Sequence, residues 1–283
     1  MGNIFAFVSI AFTLLTTATY ADITDTEVPR FKKVMIVIFE NTDYADAVKQ
    51  PFFAKLATQG ANLTKFFAET HPSQPNYIAL TSGSLHGVKG NENVTLEVKN
   101  IGDLLEAKKN TWKVYAEGLP SECFLGATDK KYARKHEPMI SYKSIQKDPK
   151  RCAKIVNADE LQKDVEAGTL PDFSLFIPDL DNDGHDTGVK FADKWYRSLF
   201  GPLLKNPKFA KDMLLVTTFD EGSNFGTNQV YTSLYGDLVE AGSESNLAYD
   251  HFSLLRTLEA GFGLDNLGQE DKGAATISGV WKK

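Results

Sequence analysis

The chain is 283 residues long, 42% hydrophobic and 24% charged, which is enough to bury a large core and fits one big α/β domain better than two small ones. Its formal net charge of −6 excludes the basic footprint that binding a phosphate backbone requires, so no nucleic-acid partner is expected. No internal repeat, low-complexity tract or long Pro/Gly/Ser linker marks a second unit.

Residues 1–21 (MGNIFAFVSIAFTLLTTATYA) form an apolar run that ends in small residues before Asp22. This is the pattern of a secretory signal peptide cleaved near Ala21, leaving residues 22–283 as a single domain. Downstream no run reaches the ~18 apolar residues of a membrane span, so stable membrane insertion is not expected. Cys123 and Cys152 are the two cysteines, and an even count in an oxidising compartment favours a disulfide. Closing a loop of that length stabilises a fold by about 3–4 kcal/mol in the chain-entropy description. The sequons Asn62-Leu63-Thr64 and Asn93-Val94-Thr95 add to the picture of a glycosylated, exported protein, extracellular or in another secretory lumen.

Along the chain, the β-branched run from Val34 to Phe39 predicts a strand buried on both faces. Residues from Thr42 to Gln59 read as a helix stopped by Gly60. Residues 63–70 (LTKFFAET) read as a strand, and residues 76–83 (NYIALTSG) as a short helix. Two more buried strands are predicted from Phe173 to Ile177 and from Met213 to Phe219, with a helix from Val189 to Leu204 between them. This alternation argues for an α/β fold with a mostly parallel central sheet covered on both faces, a three-layer α/β/α sandwich.

Polar residues follow directly on these strands. The first runs into Glu40-Asn41, the second into Pro178-Asp179-Leu180-Asp181-Asn182-Asp183-Gly184-His185-Asp186, and the third into Asp220-Glu221. Ligands of open parallel sheets bind beyond the carboxyl ends of the strands, so the three clusters should converge on one site. Glu40, Asn41, Asp220 and Glu221 are hard oxygen donors suited to a divalent cation, which would relieve the repulsion between neighbouring carboxylates. Ser73, in His71-Pro72-Ser73-Gln74-Pro75-Asn76-Tyr77, sits where a helix N-terminus favours an anion. It reads either as an N-cap or as a nucleophile awaiting activation.

Asp179-x-Asp181-x-Asp183-Gly184 imitates the start of an EF-hand, but Lys190 occupies the twelfth position and the segment follows a strand, so that reading fails. His136, His185 and His251 lie in polar, turn-like contexts and are candidates for phosphate contact or proton transfer, with Asp186 beside His185. His86 carries the weakest signal, and His71 reads as no more than a flank to the serine loop. The sequence lacks a G-x-S-x-G elbow, a P-loop and an H-E-x-x-H motif.

Six motifs in one order resemble the phosphoesterase family, which groups bacterial phospholipases C with bacterial and fungal acid phosphatases on an alkaline-phosphatase-like core. They are Glu40-Asn41-Thr42-x-Tyr44, His71-Pro72-Ser73-x-Pro75-Asn76-Tyr77, Tyr132-x-Arg134-Lys135-His136-x-Pro138, Asn182-Asp183-Gly184-His185-Asp186, Phe219-Asp220-Glu221 and Asp250-His251-Phe252-Ser253. The resemblance implies a divalent metal held by Glu40, Asn41, Asp220 and Glu221, with Ser73 beside it as nucleophile. His136, His185 and His251 would bind phosphoryl oxygens or shuttle protons, and Asp186 would support His185. The substrate would be a small phosphate ester, hydrolysed through a phosphoserine, with acidic pH favoured if the phosphate-binding histidines must be cationic.

Two departures point to the phosphatase branch. Asp43-Tyr44-Ala45-Asp46 replaces the aromatic-Asp-His-aromatic stretch of the phospholipases, and the chain ends soon after the last motif. The alternatives are a phospholipase C or other phosphodiesterase, and a non-enzymatic extracellular module that uses the acidic loops only to hold calcium. The last predicts no role for Ser73. The sequence does not fix the oligomeric state.

Overall fold

The computed structural model describes residues 1–2, 28–223 and 226–283. Beyond its first two residues, the expected signal peptide lies outside the described residues.

An eight-stranded sheet forms the centre, in the order Ser243–Ser245, Ala61–Leu63, Thr232–Tyr235, Met213–Phe219, Lys33–Phe39, Phe173–Ile177, Trp112–Ala116 and Ile155–Asn157. Thr232–Tyr235 runs against both of its neighbours, while the other neighbouring pairs are parallel. The three strands read from their apolar runs are the adjacent central ones: Lys33–Phe39 pairs with Met213–Phe219 on one side and Phe173–Ile177 on the other. Their residues are buried almost without exception, as expected of strands covered on both faces.

The period-2 alternation of strand side chains separates the two faces. Phe176 meets Trp195 and Phe200 of the helix Val189–Leu203, whereas Phe173, an odd number of residues away, meets Phe262 of the helix His251–Phe262. On the first face Phe39, Phe53, Tyr196 and Phe219 form an aromatic cluster with ring centroids 4.9–5.6 Å apart. It lies directly beneath Glu40 and Asp220, so the site stands on close-packed rings whose truncation would be costly.

Two elements differ from the sequence reading. The helix expected from Thr42 to Gln59 is two helices, Tyr44–Ala47 and Pro51–Gln59. Pro51 opens the second, and the residue before it, Gln50, takes the extended conformation that a following proline imposes. The strand expected over residues 63–70 is divided into Ala61–Leu63 and Phe66–Phe67, which belong to different sheets. Cys123 and Cys152 form the expected disulfide, with Cα atoms 5.2 Å apart. Among the described residues no helix is long and apolar enough to cross a membrane.

Candidate active site

Ser73 is the first residue of the helix Ser73–Ser82, and the N-cap position belongs to Pro72. The capping alternative for Ser73 therefore falls: its Oγ lies 3.0 Å from Glu40 Oε2 and 3.2 Å from Glu221 Oε1. The loop that delivers it is clamped from inside the helix. Asn76 Oδ1 accepts from the Glu69 and Thr70 N–H groups, and its Nδ2 donates to the Thr70 and Pro72 carbonyls. Asn91 Oδ1 accepts from the Gln74 N–H, satisfying one of the orphan donors of that helix end.

Glu40, Asn41, Asp220 and Glu221 come together as the strand ends predicted. The Asn41 N–H donates to Asp220 Oδ1 at 3.2 Å, and Asn41 Nδ2 to Glu40 Oε2 at 3.3 Å. Asn41 takes a left-handed backbone, φ 48°, which asparagine tolerates better than most residues. Tyr77 OH donates to Glu40 Oε1 at 2.6 Å. Burial, reinforced by the Glu40 and Glu221 carboxylates, pushes Asp220 well above the ordinary carboxylate range; burial and Glu40 also raise Glu221.

A divalent cation suits this arrangement. Three carboxylates crowd together, and Asp220 Oδ2 is buried with no hydrogen-bond partner among the described residues. All four side chains offer hard oxygens, and a cation would supply the missing partner and cancel the repulsion. Among the described residues no three His, Cys, Asp or Glu side chains are already spaced as a cation cage. As they stand, Glu40 and Glu221 instead hydrogen-bond with Ser73, Tyr77, Asn41 and His71.

The expected histidines occupy three different environments. His136 is 1% exposed and stands between Glu40 Oε1, 3.0 Å from Nε2, and Asp183 Oδ2, 3.2 Å from Nδ1. Burial drives its ring down to about 4 against the opposing pull of Glu40, and burial raises Asp183 to about 7. The pair thus leans toward a neutral imidazole beside a protonated carboxyl.

His185 lies on the rim, its Nδ1 2.8 Å from Asp186 Oδ1 and its ring centroid 5.9 Å from that of His136. Asp186 is held below the usual carboxylate range by His185 and Lys131. His251 is 1% exposed and has both ring nitrogens engaged, Nδ1 with Glu69 at 2.6 Å and Nε2 with the Phe219 carbonyl at 3.1 Å. Burial alone would lower its pKa, but Glu69 and that carbonyl outweigh burial and raise it. It sits beneath the strand end that carries Asp220.

The sequence assigns no specific role to three site residues, of which His71 reads only as a flank to the serine loop and Asp183 only as part of a strand-end cluster. His71 Nδ1 lies 2.7 Å from Glu221 Oε2, Tyr77 bonds Glu40 and stacks on His136 at 5.4 Å, and Asp183 pairs with His136. All three lie inside the quoted motifs. Tyr77 follows Ser73 by four positions, so both lie on one face of the helix, which was the available signal.

The family model described as the phosphoesterase family matches residues 41–265. The chain is 36% identical over 270 residues to a probable acid phosphatase of Kluyveromyces lactis, covering 90% of this chain and 64% of that protein. It is 34% identical over 278 residues to an acid phosphatase of Aspergillus fumigatus, covering 93% and 62%. It thus spans under two thirds of the length of these two relatives. A phosphatidylinositol-3-phosphatase of Mycobacterium tuberculosis is 33% identical over 261 residues, covering 89% and 84%. Among solved structures, a protein of the alkaline phosphatase superfamily from Vibrio parahaemolyticus gives a TM-score of 0.58 at 14% identity, covering 87% of this chain and 71% of that one. Murine ectonucleotide pyrophosphatase/phosphodiesterase 5 gives 0.55 at 12%, covering 84% and 96%. These likenesses carry the fold alone, and it is the α/β/α architecture expected.

Proposed function

The chain belongs to the phosphoesterase family, and on that premise we propose that it is a metal-dependent acid phosphatase that hydrolyses phosphate monoesters with Ser73 as nucleophile. The observation that carries this reading is the Ser73 hydroxyl at a helix N-terminus, within hydrogen-bonding distance of two carboxylates of a cation-suited cluster. The names of the relatives, two acid phosphatases (one of them probable) and a phosphatidylinositol-3-phosphatase, support a monoester substrate.

Glu40, Asn41, Asp220 and Glu221 would hold the cation, which when bound lowers the serine pKa and offsets the phosphoryl charge. Ser73 Oγ attacks phosphorus as its proton leaves toward Glu40 or Glu221, the acceptors it already faces. The bond from phosphorus to the leaving oxygen breaks, and that alkoxide takes a proton from His185, whose imidazolium is supported by Asp186. Water then attacks the phosphoserine and returns a proton to His185, while the departing Ser73 oxygen takes back its proton from the carboxyl that accepted it, releasing Ser73 and inorganic phosphate. Burial holds His136 down at about 4, so it is mainly neutral well above that pH, and cationic contact with phosphate falls to the rim. The disulfide supports a secreted location.

The test is hydrolysis of p-nitrophenyl phosphate against bis-p-nitrophenyl phosphate from acidic to alkaline pH, with and without chelator. Chelator-sensitive monoesterase activity at acidic pH is expected. Preference for the diester moves the chain to the phosphodiesterase branch, and absence of turnover with every divalent metal contradicts the enzymatic reading.

A further inference from the structure

We propose that Lys135 is a substrate-binding residue that selects dianionic phosphate monoesters over monoanionic diesters. The inference rests on the phosphoesterase reading of the site and adds to it the element that sets the substrate class.

Lys135 is the middle residue of the 3₁₀ turn Arg134–His136, between two buried side chains. Arg134 anchors the turn from below, donating to the Leu125 and Val94 carbonyls at 2.8 Å each. The next residue, His136, is held at the site by Glu40 and Asp183. The Lys135 ammonium is thereby delivered to the rim, where Nζ lies 3.4 Å from His185 Nε2. That ring bonds Asp186 through Nδ1. In the neutral ring the carboxylate there favours the proton on Nδ1, so Nε2 accepts from Lys135; in the imidazolium that serves as general acid both nitrogens carry protons, and the ammonium is left to the phosphate.

Among the described residues Lys135 has no carboxylate partner. Lys131, four residues earlier, differs: it is spent on Asp181 and Asp186 at 2.7 and 3.0 Å. After burial, the Lys135 charge is among the influences on both His136 and Asp183, so it acts on the site electrostatically. Of the three ammonium donors, one serves His185 and two remain.

With no carboxylate paired directly to it among the described residues, this half-buried ammonium is placed to receive an anion at the rim. A monoester presents three non-bridging oxygens and up to two charges, and a diester two oxygens and one charge. A fixed ammonium at the rim therefore gains most from the oxygen that a diester lacks.

The experiment compares wild type with Lys135→Met and Lys135→Arg, using p-nitrophenyl phosphate, bis-p-nitrophenyl phosphate and calorimetric binding of inorganic phosphate. In Lys135→Met, kcat/KM for the monoester should fall about 10- to 100-fold, the range of one lost charge-assisted hydrogen bond. The diester rate should stay near wild type, phosphate should bind correspondingly more weakly, and Lys135→Arg should recover most of the loss. Equal losses on both esters, or phosphate affinity unchanged in Lys135→Met, overturns the proposal. A wild-type protein that turns over neither ester but binds phosphate more tightly than Lys135→Met overturns the hydrolase reading and leaves the Lys135 contact standing.

Discussion

Ser73 Oγ lies 3.0 Å from Glu40 Oε2, bringing the first turn of a helix against the end of a strand 33 residues earlier. Glu40 also receives Tyr77 OH and faces His136 Nε2, so one buried carboxylate fixes the nucleophile, a phenol and an imidazole together. The same crowding leaves Asp220 and Glu221 raised by burial and by Glu40. Both are biased toward their protonated forms, a bias that a bound cation would oppose.

Adding a divalent cation to chelator-treated protein should therefore raise its melting temperature. A site filled at 100 times its dissociation constant contributes about 2.7 kcal/mol. Protons compete for the same oxygens, so the gain should shrink as pH falls toward 4. Calorimetry at neutral and acidic pH checks this, and a gain independent of pH contradicts it.

Stability has a second, remote source of pH dependence. Glu259 is fully buried beside Asp271, and burial followed by the Asp271 charge raises it to about 8 from 4.5. The fold therefore binds this proton more tightly than the unfolded chain does. Its contribution is complete below the unfolded value and is lost as pH rises through about 8. The melting temperature should fall across that window, and Glu259→Gln should flatten the fall.

Asp193 caps a helix from a distance. Its Oδ1 accepts from the Phe52 and Phe53 N–H groups at 2.7 and 3.0 Å, at the start of Pro51–Gln59. Asp193→Ala should cost about 1–3 kcal/mol in urea unfolding, since it strands two buried donors. Asp193→Asn should recover part of that.

The two sequons are unequal. Asn93 is exposed, whereas Asn62 is 6% exposed within the central sheet and donates to Tyr44 OH at 2.9 Å. Secretion from a eukaryotic host should yield a glycan on Asn93 and none on Asn62. Mass spectrometry of the two peptides, before and after glycan removal, decides it.

The central strands were legible because Val34 to Phe39, Phe173 to Ile177 and Met213 to Phe219 are buried on both faces and so read as unbroken apolar runs. The convergence of Glu40, Asn41, Asp220 and Glu221 followed from parallel strands sharing one carboxyl edge. Trp112–Ala116 escaped because Lys113 interrupts its apolar run, and Ile155–Asn157 because it is only three residues long and ends in Asn157. His71 and Glu221 are 150 residues apart and meet only through tertiary packing, a pairing that no local pattern encodes. The engagement of both His251 nitrogens was hidden for the same reason, since Glu69 lies 182 positions away.

The most direct test of the account is to quench the protein in acid during turnover of p-nitrophenyl phosphate and locate the transferred phosphoryl group by peptide mass spectrometry. The account predicts a phosphoryl group on Ser73 and on no other residue, with Ser73→Ala folded but slowed by roughly 10³-fold or more, as loss of a nucleophile entails. A Ser73→Ala variant that turns over at the wild-type rate, or a phosphoryl group trapped on another side chain, would contradict it.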